Sequence, residues 1–449
     1  MRRRRPDLSC RLAALLSLTV AIACPAAVAA DAKLLSITAP LLTAERGGEG
    51  RLSGGANLRG FFLALEGLER HQLTRPVRIL QIGDSHTAND AFSSAMRARL
   101  QTRFGAAGRG WLPGGVPFKY FRPQLVSVSE SGWRHLGQAD AGQVPMGIDV
   151  TLAQSEGPAA RMTLTSTEPE GFNRFELELL LQPGGGPLAV RIDQRKPIPV
   201  TTDAPAVRLK RVEISLPAAA HEIELTALGQ QPADVLGWTI ERRHPGIIYE
   251  NHGTIGATIN LIGKMNTSAV GFELAARRPA LLVIAFGTNE GFDESLDLGQ
   301  YAANFQTAVE ALHDKAPDAS VLIIGPPDGN RMDRSCTPGD GQPALPAAGC
   351  TASLSSETSC AWHPPRNLAA VRQIQKRIAA ARGWAFWDWS QAMGGTCSID
   401  RLAGLDPPLA AADHVHLTKT GYAAAADILF QDLMAEYERT KRDARPPRR

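Results

Sequence analysis

Two short stretches at opposite ends of the chain contain residue types that could together perform nucleophilic catalysis. Gly83-Asp84-Ser85-His86 supplies a serine hydroxyl, and Asp413-His414-Val415-His416 supplies a carboxylate and an imidazole. A serine hydroxyl is a poor nucleophile until a base takes its proton, and a histidine oriented by an aspartate can act as that base. If both stretches lie at one edge of the fold, the pattern predicts acyl transfer with Ser85 as nucleophile, His416 as base and Asp413 as its orienting partner.

Each stretch also has a simpler interpretation. Ser85 stands between a predicted strand and a predicted helix, where a serine often does no more than cap the helix. The two histidines could be solvated loop residues, or could bind a metal together with Asp413. We predict the serine mechanism, which needs neither a metal nor a cofactor.

Two further stretches could supply donors for the oxyanion that forms during acyl transfer. Gly256 lies in a glycine-containing loop after the apolar run 246–249, and Asn289 follows the apolar run 281–286. A glycine allows a backbone N–H to approach a substrate closely, and an asparagine amide is a fixed donor. Taken singly, Gly256 could serve only a turn and Asn289 only a helix cap.

The elements around these stretches predict one α/β domain. Buried apolar runs alternate with amphipathic helical stretches, which is typical of a parallel sheet with helices on both faces. Ligands bind at the carboxyl edge of such a sheet. The predicted strands are residues 77–82, 281–286, 321–324 and 384–387, and the predicted helices begin near residue 90 and cover 301–314, 368–382 and 421–437.

A β-rich insertion interrupts this domain. Between residues 121 and 241, short alternating segments are separated by glycine, proline and Asn/Asp turns, which indicates a β-sandwich or jelly roll. The predicted segments are 147–152, 161–165, 174–181, 188–193, 207–216 and 222–228. The predicted divisions are 1–30 for a signal peptide, 31–120 and 242–437 for the α/β domain, 121–241 for the insertion, and 438–449 for a basic disordered tail.

The four chemical blocks, in their order along the chain, resemble the SGNH (GDSL) hydrolase superfamily. They are GDSH at 83–86, GAT at 256–258, GTN at 287–289 and DxxH at 413–416. The resemblance implies a flavodoxin-like three-layer fold and a serine esterase with a Ser85–His416–Asp413 triad. It also implies an oxyanion hole formed by the N–H groups of Ser85 and Gly256 and the side chain of Asn289. The G-x-S-x-G turn of the other large serine-esterase fold is missing.

A narrower resemblance covers most of the chain. The runs GDSHTA at 83–88 and FGAAGRGW at 104–111, and less specifically 362–368 and 386–389, are similar to periplasmic peptidoglycan O-acetylesterases of Gram-negative bacteria. In those enzymes a β-sandwich like a carbohydrate-binding module interrupts the hydrolase domain where residues 121–241 stand. The resemblance implies removal of the acetyl group from the C6 hydroxyl of N-acetylmuramic acid through an acetyl-serine. Asn89 departs from the pattern, in which a glycine is expected.

Several alternatives stay open at this point. An O-acetyltransferase, or an acetylesterase of another polysaccharide, would use the same acetyl-serine; a lipase-like esterase would prefer long acyl chains; a glycan-binding protein would need no catalysis. Trp111 either lines a substrate-binding surface or belongs to the core. The predicted partner is O-acetylated peptidoglycan or another acetylated glycan. No stretch resembles a nucleic-acid-binding face, and the oligomeric state is open.

The N-terminus predicts export to the periplasm. Residues 1–30 contain a basic start, an apolar run of about a dozen residues and a small-residue cleavage region, which is too short to span a membrane. Lipid attachment at Cys24 is a second possibility. Because this segment carries five arginines and one aspartate, the formal charge of +3 becomes −1 without it. In an oxidising compartment, Cys336, Cys350, Cys360 and Cys397 would form two disulfides, with three possible pairings.

Overall fold

The computed structural model describes residues 50–332 and 362–443. Its helices, besides the 3₁₀ turns Gly55–Leu58 and Ile259–Lys264, are α1 Arg59–Glu69, α2 Ser85–Ala88, α3 Ala91–Phe104, α4 Thr267–Arg277, α5 Thr288–Phe292, α6 Leu298–His313, α7 Leu368–Arg382, α8 Trp389–Met393, α9 Ser398–Ala403 and α10 Lys419–Asp443. Its strands are β1 Leu52–Ser53, β2 Val77–Gly83, β3 Gly110–Pro113, β4 Val126–Ser131, β5 Trp133–Leu136, β6 Leu152–Ser155, β7 Arg161–Ser166, β8 Phe172–Leu181, β9 Pro187–Ile192, β10 Ile198–Thr201, β11 Arg208–Ala220, β12 Glu222–Ala227, β13 Asp234–Glu241, β14 Ile247–Gly253, β15 Leu281–Ala285, β16 Ser320–Gly325 and β17 Ala385–Asp388.

The central sheet has the strand order of a flavodoxin-like fold. Across the sheet the order is β1-β17-β16-β15-β2-β14. The last five strands are parallel, and numbered along the chain they lie in the order 2-1-3-4-5. The remaining strand, β1, pairs antiparallel with β17, so the sheet is mixed and the prediction of a parallel sheet is wrong at this edge. A two-residue edge strand leaves too little pattern in the sequence to be recognised.

Helices cover both faces of this sheet. Side chains alternate along β2, so Val77 and Ile79 join one hydrophobic cluster while Leu80 and Ile82 join the other. The first cluster contains residues of α1, α3 and α10, and the second contains residues of α4, α6 and α7. The predicted three-layer arrangement is therefore present, and the helix predicted at 368–382 has the same bounds in the structure.

The insertion consists of two antiparallel sheets that share one core. One sheet has the order β10-β9-β12-β7-β4, and the other has the order β11-β8-β13-β6-β5 with β3 also paired to β13. Apolar residues of both sheets, such as Leu164, Leu177 and Leu225, belong to a single buried cluster. Because β3 pairs with β13, the β-rich part begins at Gly110 rather than at residue 121.

Five of the six segments predicted in the insertion correspond to strands β7, β8, β9, β11 and β12. The segment predicted at 147–152 is wrong: residues 148–149 form a turn, Val150 has a φ of 48°, and β6 begins only at Leu152. Strand β13 was not predicted. All eight of its residues are buried, and a strand buried on both faces lacks the alternation that identifies a half-exposed one.

A buried aspartate ties the start of α3 to the segments on either side of β3. One oxygen of Asp90 accepts hydrogen bonds from Ser93 Oγ at 2.7 Å and from Arg97 at 3.1 Å. The other accepts from Arg109 at 3.1 Å and from the backbone N–H of Gln124 at 2.8 Å. Although burial raises the pKa of Asp90, the two arginines hold it well below its usual range, so the group is ionised.

We expect Asp90→Asn to lower the free energy of unfolding by about 3–5 kcal/mol, because it leaves two buried arginines without their counter-charge. Urea denaturation measures this loss. Asp318→Asn, which makes the same chemical change at an exposed position, should change it by less than about 0.5 kcal/mol. Equal stability of the two variants would contradict the role given to Asp90.

The last helix extends further than predicted. We expected the helix to end at Tyr437 and a disordered tail to follow, but α10 continues to Asp443. Lys441 pairs with Glu69 of α1 at 2.6 Å, and Arg103 of α3 pairs with both Glu69 and Glu438. These interactions hold the C-terminal end of α10 against α1 and α3. The prediction of a disordered tail is therefore wrong for residues 438–443. Residues 444–449 lie outside the described part.

Several predictions concern residues that the structure does not describe. The signal peptide at 1–30, with Cys24, lies outside the described residues, as do Cys336, Cys350 and Cys360. Cys397 lies buried just before α9, and its predicted pairing stays a prediction. Within 50–332 and 362–443, no helix is long and apolar enough to cross a membrane.

Candidate active site

Ser85 lies at the point where the strand order of the central sheet reverses. It follows β2, which lies between β14 and β15, and ligands bind beside the carboxyl ends of the strands at such a point. Asp84 caps the short helix α2 by accepting a hydrogen bond from the N–H of His86 at 3.0 Å. Burial raises the pKa of Asp84 to about 6.

Gly83 makes this turn possible because the backbone packs tightly around it. A Cβ at this position would lie 2.4 Å from Thr87 Oγ1 and 2.5 Å from the carbonyl oxygen of Ala285. Asn89, where the resemblance implies a glycine, has a φ of −74°, which any residue adopts. The departure at Asn89 therefore does not alter the shape of the turn.

The structure brings together the three residues of the predicted triad. Ser85 Oγ lies 2.9 Å from His416 Nε2, and His416 Nδ1 lies 2.7 Å from Asp413 Oδ2. Because the carboxylate can only accept, the imidazole proton lies on Nδ1, which leaves Nε2 free to accept from the serine. Asp413 Oδ1 also accepts from the backbone N–H groups of Val415 and His416, so the orienting residue is itself held in place.

The Asp413 carboxylate makes the His416 imidazole more basic. The hydrogen bond to Asp413 raises the pKa of His416 above its ordinary value, against the effect of burial. Partial burial raises the pKa of Asp413, but its hydrogen bonds to His416 and Val415 outweigh this and hold the pKa well below the usual range. The carboxylate therefore stays ionised, as the predicted triad requires.

The two predicted oxyanion donors, Gly256 and Asn289, lie in segments that contact each other. Asn289, at the start of α5, donates a hydrogen bond through Nδ2 to the carbonyl oxygen of Ala257 at 2.8 Å. Gly256 has a φ of 70°, a conformation that favours glycine. An asparagine amide carries two N–H donors, so one can hold the loop while the other stays available for an oxyanion.

We expect Asn289→Ala to lower kcat for a simple acetyl ester by about 10²–10³-fold, because one oxyanion donor and the anchor of the Gly256 loop are lost together. Steady-state hydrolysis of 4-nitrophenyl acetate measures this. Asn304→Ala is the control, since its half-exposed side chain bonds to Gln300 and Asn260 rather than to the Gly256 loop. If the two variants are equally active, Asn289 is not an oxyanion donor.

His86 was not predicted to belong to the site. Its ring centroid lies 5.0 Å from that of His416, and its Nδ1 lies 2.8 Å from the hydroxyl of Tyr422 on α10. Burial lowers the pKa of His86 to about 3, so this imidazole is neutral. Its place directly after Ser85 was the available signal. A neutral ring packed beside His416 limits the positions that the His416 imidazole can adopt.

The other histidine of the C-terminal stretch, His414, has different partners. His414 Nδ1 contacts Asp400, and the His414 ring stacks on Trp362 with centroids 3.9 Å apart. The two histidines therefore contact different side chains. In the parts of the chain that the structure describes, no group of three or more His, Cys, Asp or Glu side chains is placed to hold a metal ion.

Trp111 does not line a substrate surface. Its side chain is 1% exposed and packs with Leu152, Leu180 and Leu236. The guanidinium of Arg277 lies 4.3 Å from the ring centroid, and the indole N–H donates to Asp149. Of the two interpretations left open by the sequence, the structure shows the one in which Trp111 is a core residue.

Comparisons with known proteins show which proteins this chain resembles. Residues 225–424 match the model of the GDSL-like Lipase/Acylhydrolase family. A solved structure titled "Peptidoglycan O-acetylesterase in action, 5 min" is similar at 25% identity, covering 86% of this chain and 99% of its own, with a TM-score of 0.69. A comparison with curated proteins found no match.

Two further similar structures are family two carbohydrate esterases. The one from Cellvibrio japonicus is 12% identical and covers 70% of this chain and 98% of its own, with a TM-score of 0.27. The one from Clostridium thermocellum, in complex with cellohexaose, is 10% identical and covers 68% and 99%, with a TM-score of 0.28.

The chain contains a hydrolase domain of the GDSL (SGNH) type and is a carboxylic ester hydrolase. The family match begins within the insertion and includes the GAT, GTN and DxxH blocks, whereas Ser85 lies before it. The insertion separates the nucleophile from the other blocks in sequence, although the fold brings them together. The likeness to the peptidoglycan O-acetylesterase structure covers 86% of this chain.

Proposed function

We propose that this protein is a periplasmic esterase that removes O-acetyl groups from peptidoglycan, at the C6 hydroxyl of N-acetylmuramic acid. The observation that carries the proposal is the 2.9 Å contact between Ser85 Oγ and His416 Nε2, with Asp413 behind the imidazole. The substrate is suggested by the similar structure described as a peptidoglycan O-acetylesterase. The predicted signal peptide and the proposed carbohydrate-binding-module-like character of the insertion agree with an extracytoplasmic glycan.

The proposed reaction begins when Ser85 Oγ attacks the acetyl carbonyl carbon. His416 Nε2 takes the serine proton, and the negative charge on the carbonyl oxygen is stabilised by the N–H groups of Ser85 and Gly256 and by the Asn289 amide. The tetrahedral intermediate breaks down as His416 gives its proton to the departing C6 oxygen of the sugar, which leaves an acetyl group on Ser85. A water molecule, deprotonated by His416, then attacks this ester, and Ser85 regains its proton as acetate leaves.

Acetate release from insoluble O-acetylated peptidoglycan, compared with acetylated xylan, tests the substrate. We expect kcat/KM to be at least about tenfold higher for peptidoglycan, a difference of about 1.4 kcal/mol in transition-state binding. Ser85→Ala supplies the blank for spontaneous hydrolysis. Preference for xylan would overturn the substrate and leave the esterase class intact. Transfer of acetyl groups to glycan in place of acetate release would identify a transferase.

A further inference from the structure

A cleft of about 250 Å³ lies where the insertion meets the hydrolase domain. The segment between β3 and β4 contributes Phe118 and Phe121, and the insertion contributes Gly137 and Asp149. The hydrolase domain contributes Thr254 and Ile255 from the loop after β14. Each part of the protein therefore supplies some of the walls.

This cleft adjoins the catalytic residues. Ala88, which also lines it, lies in the same short helix as Ser85. Ile255 lies next to the proposed oxyanion donor Gly256, and its side chain is 47% exposed. Gly253 packs so closely on this helix that a Cβ there would lie 2.2 Å from the N of Ala88. A polymer with one acetyl group at Ser85 must place its neighbouring residues in the space around this loop.

The walls combine apolar faces with fixed polar groups. Phe118 and Phe121 form an edge-to-face pair with centroids 5.4 Å apart, and both are partly exposed. Asp149 is held in place because its carboxylate accepts from Trp111 Nε1 and lies 3.0 Å from His252 Nδ1. Asn251 is held by its side-chain hydrogen bonds to the carbonyl oxygen of Thr87 and to Ser93. Rigid polar groups beside aromatic faces fit a ligand with both hydroxyl groups and apolar ring faces.

An acyl chain would fit this cleft less well. Covering the Asp149 carboxylate and the Gln138 amide with an alkyl chain would remove water from these polar groups without returning hydrogen bonds. A sugar ring presents C–H faces to the aromatic side chains and hydroxyl or acetamido groups to the polar ones.

We propose that this cleft binds the sugar residues that flank the acetylated sugar in the glycan strand, so that the insertion recognises the polymer. The inference rests on the proposed function. It predicts that Phe118 and Ile255 contact the flanking sugars and not the acetyl group. A small ester, which has no flanking sugars, does not use the cleft.

Gly137→Trp is the most direct test because a Cβ added at Gly137 meets no neighbouring atom within 4 Å. The indole would be attached to a residue of the cleft wall at a point where its Cβ displaces no neighbouring atom. Gly263→Trp is the matched control. A Cβ added at Gly263 also meets no neighbouring atom within 4 Å, and Gly263 does not line the cleft. Phe118→Ala is a second variant, which removes an aromatic face without adding volume. Each protein is assayed with O-acetylated peptidoglycan and with 4-nitrophenyl acetate.

We expect Gly137→Trp and Phe118→Ala to lower the ratio of peptidoglycan to small-ester kcat/KM by about tenfold, and Gly263→Trp to leave it within about twofold. An unchanged ratio in both cleft variants would overturn the proposal. So would a loss confined to esters with longer acyl chains, such as 4-nitrophenyl butyrate. If the wild type prefers another acetylated glycan, the proposed function fails, and the same ratio measured on that glycan still tests the cleft.

Discussion

Ser85→Ala should lower kcat for acetyl ester hydrolysis by about 10⁴–10⁶-fold, because residues that act as one catalytic unit lose nearly all of their effect when the nucleophile is removed. The side chain of Ser85 is bonded to His416 and forms no part of the core. The variant should therefore fold normally, and its midpoint of thermal unfolding should lie within a few degrees of the wild type. Hydrolysis of 4-nitrophenyl acetate measures the loss.

Ser127→Ala is the control for the nucleophile. It removes the same hydroxyl from an exposed position on β4 of the insertion and should leave kcat unchanged. A serine-directed sulfonyl fluoride should label the wild type and the control, and should fail to label Ser85→Ala. If Ser85→Ala kept more than about a hundredth of the wild-type kcat, far above the residual rate of a disabled triad, the mechanism would not pass through Ser85.

Asp413→Asn should lower kcat by about 10⁴-fold, because an amide in place of the carboxylate can hold the imidazole in the wrong tautomer and cannot stabilise the imidazolium. The pH profile gives a second, independent result. His416 must be neutral to accept the serine proton, so kcat/KM rises as pH increases through the pKa of His416. Asp413 raises that pKa, so the rise in the variant should move to lower pH.

Asp400→Asn is a close control for this prediction. Asp400 pairs with His414, two residues away from His416, in a similar carboxylate–imidazole contact. Because His414 does not contact Ser85, this variant should keep its activity within a few-fold and its pH profile unchanged. A profile that moves equally in both variants would show a general effect of charge and would contradict the orienting role of Asp413.

The triad geometry was predictable because it depends on two local patterns and one general rule. The spacing of Asp413 and His416 puts both side chains in one loop, and the strand before Ser85 places the serine at the carboxyl edge of the sheet. Loops that come from distant parts of the chain meet at that edge. Of the two histidines in the C-terminal stretch, the pattern already favoured His416 as the base. The resemblance implied the same residue, and His416 Nε2 lies 2.9 Å from Ser85 Oγ in the structure.

What could not be predicted depends on contacts between distant residues. Trp111 could belong to a surface or a core until its packing under Arg277 was known. The sequence around Asp90 does not show whether its charge is buried or exposed, because its partner Arg109 belongs to a different element. Strand β13 lacks alternation because other strands or side chains cover both of its faces. In each case the missing information is the identity of the neighbour.

The pairing of β2 with β14 has a consequence for how the enzyme assembles. Val77 pairs with Ile247, so two adjacent strands of the hydrolase sheet are separated along the chain by the whole insertion. Closing so long a loop costs conformational entropy, which slows folding. The insertion has a hydrophobic core of its own and its first and last strands, β3 and β13, pair with each other. Once folded, it holds its two ends together, and the loop that remains to be closed is short. An insertion that folds first would thus guide the assembly of the hydrolase sheet from its two separated parts.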